Sequence, residues 1–478
     1  MDKDVQESIT YLLDILTFQG EDMCGIFAIE NNVDSATLAF AGLITLQHRG
    51  EESAGITANG DGNTYNTHKA MGLVSQIFKE KVLNNLSGKV AIGHVRYSTH
   101  SESSLLNAQP FVYNCIHGNI AVAHNGNITN FEKIKNRLAK SGSIFNHTSD
   151  TEIVAHLIAE NTGKTTGQII KKSVQSLEGA FSLVFIHGNK LIGVRDSFGF
   201  RPLALGKIDN SYILASETSA IDAIGGKFIR DIKPGEIIVI ENGKITESLQ
   251  FTKKVKEKLC IFEQVYFSRP DSILCGRNIK DARVDMGRYL AQQMKHIKAD
   301  VVVPVPDTGL FSAQGFSQYS GIDLQIGFIR NHYVGRSFIK PSQKMREITA
   351  KLKLFPIKDV INGKRIVLID DSLVRGTTAQ KIVSTLRNAG AKEIHLALSS
   401  PAVISPCFYG IDTPIKSKLI AAVKSVEEIK EFLNVDSLTF LDINNMKKAC
   451  GNGKPNNFCC ACFDGKYPSK IDKNKLNA

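Results

Sequence analysis

IVLIDDSLVRGTTAQ, residues Ile366–Gln380, decides the architecture of the second half of the chain. Its first four residues are apolar and mostly β-branched, as suits a parallel strand buried on both faces. The strand ends in the pair Asp370-Asp371, and Ser372, Gly376, Thr377 and Thr378 follow where a helix begins. Ile382, Val383 and Leu386 form one face of that helix and Gly390 caps it. Ile394–Leu398 then returns as a strand, giving a strand–loop–helix–strand unit and hence an α/β domain. VVVPVP (Val301–Pro306) reads as a further buried strand. A helix N-terminus rich in Gly and hydroxyl residues is an anion cradle. Two adjacent carboxylates are hard oxygen ligands, suited to a ribose diol and Mg²⁺. An acidic turn that merely capped a helix would require neither the second Asp nor the run Arg375-Gly376-Thr377-Thr378.

Working outward, the first half has a different grammar. Gly25–Ile29, Val90–Val95 and Ile120–His124 read as strands. Two hairpins carry turn signals: Gly188-Asn189 between Leu183–Ile186 and Leu191–Val194, and Asn242-Gly243 after Ile237–Ile240. Helices are expected at Ser35–Gln47, Phe131–Ser141 and Asp150–Glu160. Hairpin-linked strands with segregated helices predict antiparallel sheets covered by helices. The charge run Lys253–Lys258 is a connector between the halves.

The length of 478 residues suits two or three domains, and 42% hydrophobic with 22% charged residues is ordinary for a globular chain. No apolar run reaches a membrane span. Residues 1–23 are acidic and lack the basic region of a secretory signal or the Arg/Ser-rich face of a transit peptide, so a cytoplasmic enzyme is expected. The net charge of +11 comes without basic runs interleaved with aromatics. It therefore points to phosphorylated small molecules rather than nucleic acid. Nine cysteines, an odd number, argue for metal or catalytic thiols over a disulfide framework.

Cys24 follows Met23 and precedes an apolar strand. A lone Cys in such a place is ordinarily a small buried hydrophobe. Further on, however, come LQHRGEESAG (Leu46–Gly55), GHVRYST (Gly93–Thr99), AHNGNITN (Ala123–Asn130) and TSDTE (Thr148–Glu152), each with polar residues just after an apolar stretch. These segments, in this order, resemble the glutaminase domain of the class II glutamine amidotransferases over nearly all of residues 24–240. The resemblance implies an α+β N-terminal nucleophile fold, a four-layer αββα sandwich, in which the catalytic Cys is the first residue and its α-amino group is the base. Carried over residue by residue, Cys24 attacks the glutamine carboxamide. The Asn125 side chain and the Gly126 N–H hold the oxyanion. Arg96 grips the α-carboxylate and Asp150 the α-ammonium. Residues 1–23 must then be absent from the working enzyme, either as a propeptide removed at Met23–Cys24 or because initiation is at Met23 with Met trimming.

The Ile366–Gln380 loop resembles the phosphoribosyl pyrophosphate (PRPP) motif of the type I phosphoribosyltransferases. By that resemblance Asp370 and Asp371 bind the ribose hydroxyls and Mg²⁺, and Ser372, Arg375, Gly376, Thr377 and Thr378 wrap the 5′-phosphate. The turn VPVPDTG (Val303–Gly309) meets the pyrophosphate, with Thr308 a third oxygen for Mg²⁺. The cation-rich segment Asn331–Glu347, with Arg336, Phe338 and Arg346, is the expected lid over PRPP. The two halves in this order resemble the amidophosphoribosyltransferase family over most of the chain.

Cys459-x-x-Cys462 near the C-terminus fits two ligands of one metal centre, and alone could equally bind zinc or be redox-active. The contexts of Cys260, Cys407 and CACFDGKYP resemble the subgroup of the family that carries a [4Fe-4S] cluster, which implies Cys260, Cys407, Cys459 and Cys462 as its ligands. Cys450 and Cys460 are surplus, and Cys115 and Cys275 read as ordinary thiols. The expected division is a leader at 1–23, a glutaminase domain at 24–252, a phosphoribosyltransferase domain with cluster ligands at 253–465 and a tail at 466–478. The resemblance implies glutamine-dependent amination of PRPP at the start of purine synthesis, purine nucleotides as feedback inhibitors, and a homo-oligomer (dimer or tetramer) with no nucleic-acid or membrane partner. The competing readings are another class II amidotransferase, which would need no PRPP loop, and a catalytically silent phosphoribosyltransferase-like regulator, which would need no Cys24, Arg96 and Asp150.

Overall fold

The computed structural model describes residues 23–60, 64–97, 103–252, 257–331, 354–413, 415–451 and 457–471. Residues 1–22, most of the Lys253–Lys258 connector, and the lid residues Arg336, Phe338 and Arg346 lie outside the described residues.

The first half is built on two antiparallel sheets. One has seven strands in the order Lys227–Asp231, Ala204–Ile208, Ser211–Ala215, Gly25–Glu30, Val90–Arg96, Ser53–Ala58, Asn66–Met71. The other has six: Lys244–Gln250, Glu236–Glu241, Lys190–Arg195, Gly179–His187, Gly118–Ile128, Phe111–Cys115. Their central strands are apolar on both faces because each face has its own partner layer. Ile26 and Ala28 point into a core shared with Ala121, Ala123, Val184 and Ile186 of the opposite sheet. Phe27 and Ile29 point the other way, against Ala39 and Leu43 of the helix Ser35–Thr45. On the far side, Leu183 and Phe185 pack against Ile153, Val154 and Ile158 of the helix Glu152–Glu160. Helix, sheet, sheet and helix thus form the four-layer sandwich expected from the resemblance.

Both hairpins form as read, with His187 opposite Lys190 and Glu241 opposite Lys244. Asn242 and Gly243 both take positive φ (53° and 68°), the backbone hand that a two-residue hairpin loop demands. Two helix limits differ from expectation. The first helix stops at Thr45 and a 3₁₀ turn at Gln47–Arg49 follows, which turns Arg49 inward. The helix expected from Asp150 starts at Glu152, and the Asp150 carboxylate accepts the Ile128 N–H at 2.8 Å.

The second half holds a four-stranded parallel sheet in the order Val301–Pro304, Arg365–Asp370, Glu393–Leu398, Ser437–Phe440. The helix Thr377–Asn388 lies on one face through Ile382, Val383 and Leu386. On the other side, the helices Ile279–Gln293 and Leu310–Ser320 cross at a pair of glycines. A Cβ on Gly287 would lie 1.8 Å from the Ser312 carbonyl oxygen, and one on Gly315 1.8 Å from that of Val284. Only glycine permits so close a backbone approach. Among the described residues no helix is long and apolar enough to cross a membrane.

Candidate active sites

Cys24 stands at the head of Gly25–Glu30, between two neighbouring strands of the seven-stranded sheet. Pairing of Gly25 with Val95 sets it level with Arg96, and its thiol donates to the Tyr97 carbonyl at 3.6 Å. Burial pushes the Cys24 thiol up from its usual range. The Tyr97 contact and the Arg96 charge oppose the rise, while the carboxylates of Glu52 and Asp150 add to it. Arg96 is itself bonded to Glu52. The groups expected around glutamine therefore do gather about the thiol.

Asn125 and Gly126 come from the other sheet, in Gly118–Ile128. A Cβ at Gly126 would sit 2.0 Å from the Ala180 carbonyl oxygen, so the backbone there can only be glycine. The Asn125 Nδ2 is buried and lacks an acceptor among the described residues. A buried donor left unpaired is costly, and a substrate oxyanion would relieve it. Asp150 is fixed from two sides, by the Ile128 N–H and by His124 Nδ1 at 3.3 Å.

Sequence reasoning missed the ion network beneath Cys24. Arg49 is fully buried and donates through Nε to the Cys24 carbonyl at 3.0 Å. Its other nitrogens meet Glu217 at 2.7 Å and Glu263 at 2.9 and 3.0 Å. Glu263 comes from the second half and also meets Arg201 at 3.3 Å. Arg201 donates from Nε to the Tyr409 carbonyl at 2.9 Å, and its Nη1 lies 2.7 Å from the Met23 sulfur. Although burial pushes the Glu217 carboxyl up, His48 and Arg49 outweigh it and hold it well below the carboxylate range. The signal for Glu263 was available: a lone carboxylate inside the apolar run Ile261–Phe267 must have a buried partner.

The second site lies at the carboxyl ends of the parallel strands, where ligands of such sheets bind. Asp370 closes its strand, and Ser372 Oγ donates to Asp371 Oδ1 at 2.9 Å. Burial raises both carboxyls, Asp370 further by its charged neighbour Asp371. Asp371 is partly held down by Ser372, Thr308 and the Arg283 guanidinium. Asp371 Oδ2 is buried without a partner among the described residues. Gly376 takes a φ of 82° and delivers the chain into the helix Thr377–Asn388. Ser372, Arg375, Gly376, Thr377 and Thr378 thus ring the helix start, with Thr308 on the adjoining turn.

The third cluster is sulfur. Leu259–Cys260 pairs in parallel with Phe458–Cys459, setting Cys260 opposite Cys459. Cys260, Cys407, Cys459 and Cys462 line one cavity, closed by Phe200, Tyr409, Ile411 and Ala461. Burial pushes the Cys260 thiol up to about 12 and those of Cys459 and Cys462 well above their usual range. Cys450 and Cys460 are buried close by, and Cys275 is exposed. Among the described residues no three His, Cys, Asp or Glu side chains are gathered closely enough to hold one metal ion. A single zinc would need the four sulfurs about 3.8 Å apart around it, given a Zn–S bond of ~2.3 Å.

A nucleophile-bearing sandwich joined to a PRPP-type α/β domain defines a glutamine amidotransferase coupled to a phosphoribosyltransferase. Family models agree: a glutamine amidotransferase domain matches residues 94–223 and a phosphoribosyl transferase domain residues 277–404. Amidophosphoribosyltransferase 1, chloroplastic, of Arabidopsis thaliana is 46% identical over 95% of this chain and 80% of its own length. The amidophosphoribosyltransferase of Methanocaldococcus jannaschii is 43% identical over 95% of this chain and 99% of its own. The solved glutamine PRPP amidotransferase from B. subtilis, complexed with ADP and GMP, superposes with a TM-score of 0.89 at 41% identity, covering 94% of this chain and 98% of that one. The chain belongs to the amidophosphoribosyltransferase family.

Proposed function

We propose that this chain releases ammonia from glutamine at Cys24 and transfers it to C1 of PRPP at Asp370–Thr378. The products are 5-phosphoribosylamine, glutamate and pyrophosphate, at the first committed step of purine synthesis. One observation carries the reading. A thiol flanked by Arg96, Asp150 and an unpaired Asn125 amide shares a chain with a paired-carboxylate loop at a helix N-terminus.

Cys24 acts once residues 1–23 are gone. Its freed α-amino group takes the thiol proton, Arg96 and Asp150 fix the two ends of glutamine, and Asn125 and Gly126 hold the oxyanion. Arg49, held by Glu263, fixes the Cys24 carbonyl from below during this step. In the acceptor half, Ser372, Arg375, Gly376, Thr377 and Thr378 hold the 5′-phosphate. Asp370 and Asp371 take the ribose hydroxyls, and with Thr308 they would hold Mg²⁺, a fit supported by the orphaned Asp371 Oδ2. When bound, the ion would neutralise charge on the departing pyrophosphate. Arg336 and Arg346 complete the site from the lid, and PRPP binding switches glutamine hydrolysis on, since ammonia freed without an acceptor is lost to water. Cys260, Cys407, Cys459 and Cys462 would hold a [4Fe-4S] cluster. Four soft donors lining one apolar cavity support that reading, with a structural role for the cluster. The ADP and GMP of the solved relative support purine nucleotides as inhibitors. The chain is assigned to the cytoplasm, as a homo-oligomer.

The test is glutamate release with and without PRPP. Cys24→Ala should abolish glutamine-dependent synthesis and leave ammonia-dependent synthesis largely intact, whereas Asp371→Ala should lose both. Retention of glutaminase activity by Cys24→Ala, or unchanged calorimetric PRPP binding by Asp371→Ala, would refute the respective assignment.

A further inference from the structure

The segment Glu263–Ser268 supplies the second half's buried carboxylate to the nucleophile's own ion network. At one end Glu263, fully buried, accepts from Arg49 and Arg201, and Arg49 holds the Cys24 carbonyl. The Arg283 guanidinium donates to three alternate carbonyls of the segment's backbone: those of Gln264 at 3.0 Å, Tyr266 at 2.9 Å and Ser268 at 2.8 Å. Arg283 sits on the helix Ile279–Gln293, whose glycine crossing locks it to Leu310–Ser320. That second helix begins directly after the turn Asp307–Gly309, and its Ser312 hydroxyl donates to the Arg283 carbonyl at 3.1 Å. A continuous run of short contacts therefore joins the pyrophosphate turn to Cys24.

The segment is also poised to change. The Ser268 N–H bonds the Glu263 carbonyl at 2.9 Å, a wide i→i+5 turn of the kind found at functional sites. Within it both polar atoms of the Gln264 amide are buried without partners among the described residues. A buried amide with nothing to bond is destabilising, and an alternative setting of the turn that paired it would lie close in energy.

We propose that Arg283 and Glu263 are positioning residues that carry the state of the PRPP site to Cys24 through the Glu263–Ser268 turn. Filling the pyrophosphate turn shifts the locked helix pair. Arg283 resets the carbonyls it holds, and Glu263 draws Arg49 and the Cys24 backbone into line for attack. This rests on the proposed PRPP-dependent glutaminase and identifies the residues through which it acts.

Arg283→Lys keeps a cation near Asp371 but cannot fork across three carbonyls. Glu263→Gln keeps shape and loses the charge that holds both arginines. Glutamate release should be measured with and without PRPP and Mg²⁺, alongside ammonia-driven synthesis. The PRPP stimulation ratio should fall roughly tenfold in each variant, within the usual range of coupling between sites. Ammonia-driven synthesis should stay within about twofold, because that step never uses Cys24. The double variant should be no worse than the weaker single one, as two links in series require. A stimulation ratio kept in both variants overturns the proposal, as does a parallel loss of ammonia-driven synthesis, which would mark a merely structural role. A wild-type ratio of one would instead sink the PRPP-dependent glutaminase itself, and this relay with it. If Arg283→Lys fails to fold, Glu263→Gln decides alone.

Discussion

Replacing Arg49 by Met separates the ion network from the chemistry above it. The network holds two cations, Arg49 and Arg201, against two carboxylates, Glu217 and Glu263, all buried. Removing Arg49 leaves it one negative charge in excess. Loss of one member of a buried pair costs about 3–5 kcal/mol, mostly for the charge left behind. Here the lower end applies. Glu217 would keep His48 at 2.8 Å, the Arg269 N–H at 2.9 Å and the Ser272 hydroxyl at 2.8 Å. Glu263 would keep Arg201 at 3.3 Å and the Ser268 hydroxyl at 3.1 Å. Denaturant unfolding should therefore show a loss of about 3 kcal/mol with little change in slope. Catalysis should suffer separately, because the Cys24 carbonyl loses its donor. A displacement of ~1 Å at a nucleophile can cost about a hundredfold, so the glutaminase kcat should fall by roughly that factor. Ammonia-driven synthesis, measured at a temperature where the variant is folded, should change little. Equal loss of both activities, or a folded variant with a normal glutaminase kcat, would refute the idea that Arg49 aligns Cys24.

Cys459→Ser should give poorly folded, iron-free protein, read by metal content and the visible spectrum of anaerobically purified enzyme; one zinc and no iron in the wild-type chain would replace the cluster by a zinc site. Acid should weaken the network beneath Cys24. The Glu217 carboxyl is held below its usual range, so its contribution is complete above the unfolded carboxylate pKa and is lost as pH falls through the depressed folded value. The stability gap between wild type and Glu217→Gln should then be level from about pH 7 to 5 and close below about 4; a gap that widens in acid would reverse the assignment.

Much of the fold was legible because burial on both faces leaves continuous apolar runs. Arg365–Asp370 declared its parallel strand, and the Gly-Asn and Asn-Gly pairs declared the hairpins. The runs of Gly25–Glu30 were equally plain, but only the structure shows that one face meets a second sheet and the other a helix. Candidate site residues were legible where a motif put them next to one another, as with Asn125-Gly126 and Asp370-Asp371. Pairings across the chain were not. Arg49 and Glu263 lie 214 positions apart, and nothing local tells a buried arginine which carboxylate it will meet. The helix expected from Asp150 formed two residues later, from Glu152 to Glu160, and the Asp150 carboxylate meets the backbone of another strand, a pairing nothing local announces.

The strand that carries Asn125 and Gly126 and the sulfur cavity share a wall. Asn127, one residue past Gly126, donates from Nδ2 to the Phe408 carbonyl at 2.8 Å, and Arg201 donates to that of Tyr409. Tyr409 stacks on Phe200 at 4.2 Å between ring centres, and both rings close the cavity lined by Cys407. A Cβ on Gly410 would lie 3.2 Å from both Gly126 and Arg201, so the two strands of chain abut with no room for a side chain. Cys407–Gly410 thus has two contacts: its sulfur faces the cavity while the Phe408 carbonyl braces the strand that carries Asn125 and Gly126. Anchoring that sulfur fixes the backbone from which the carbonyls project. The sulfur cavity and the backbone of Asn125–Asn127 are therefore braced by one segment, so a change at Cys407 is expected to reach Gly126 without any contact to the thiol of Cys24.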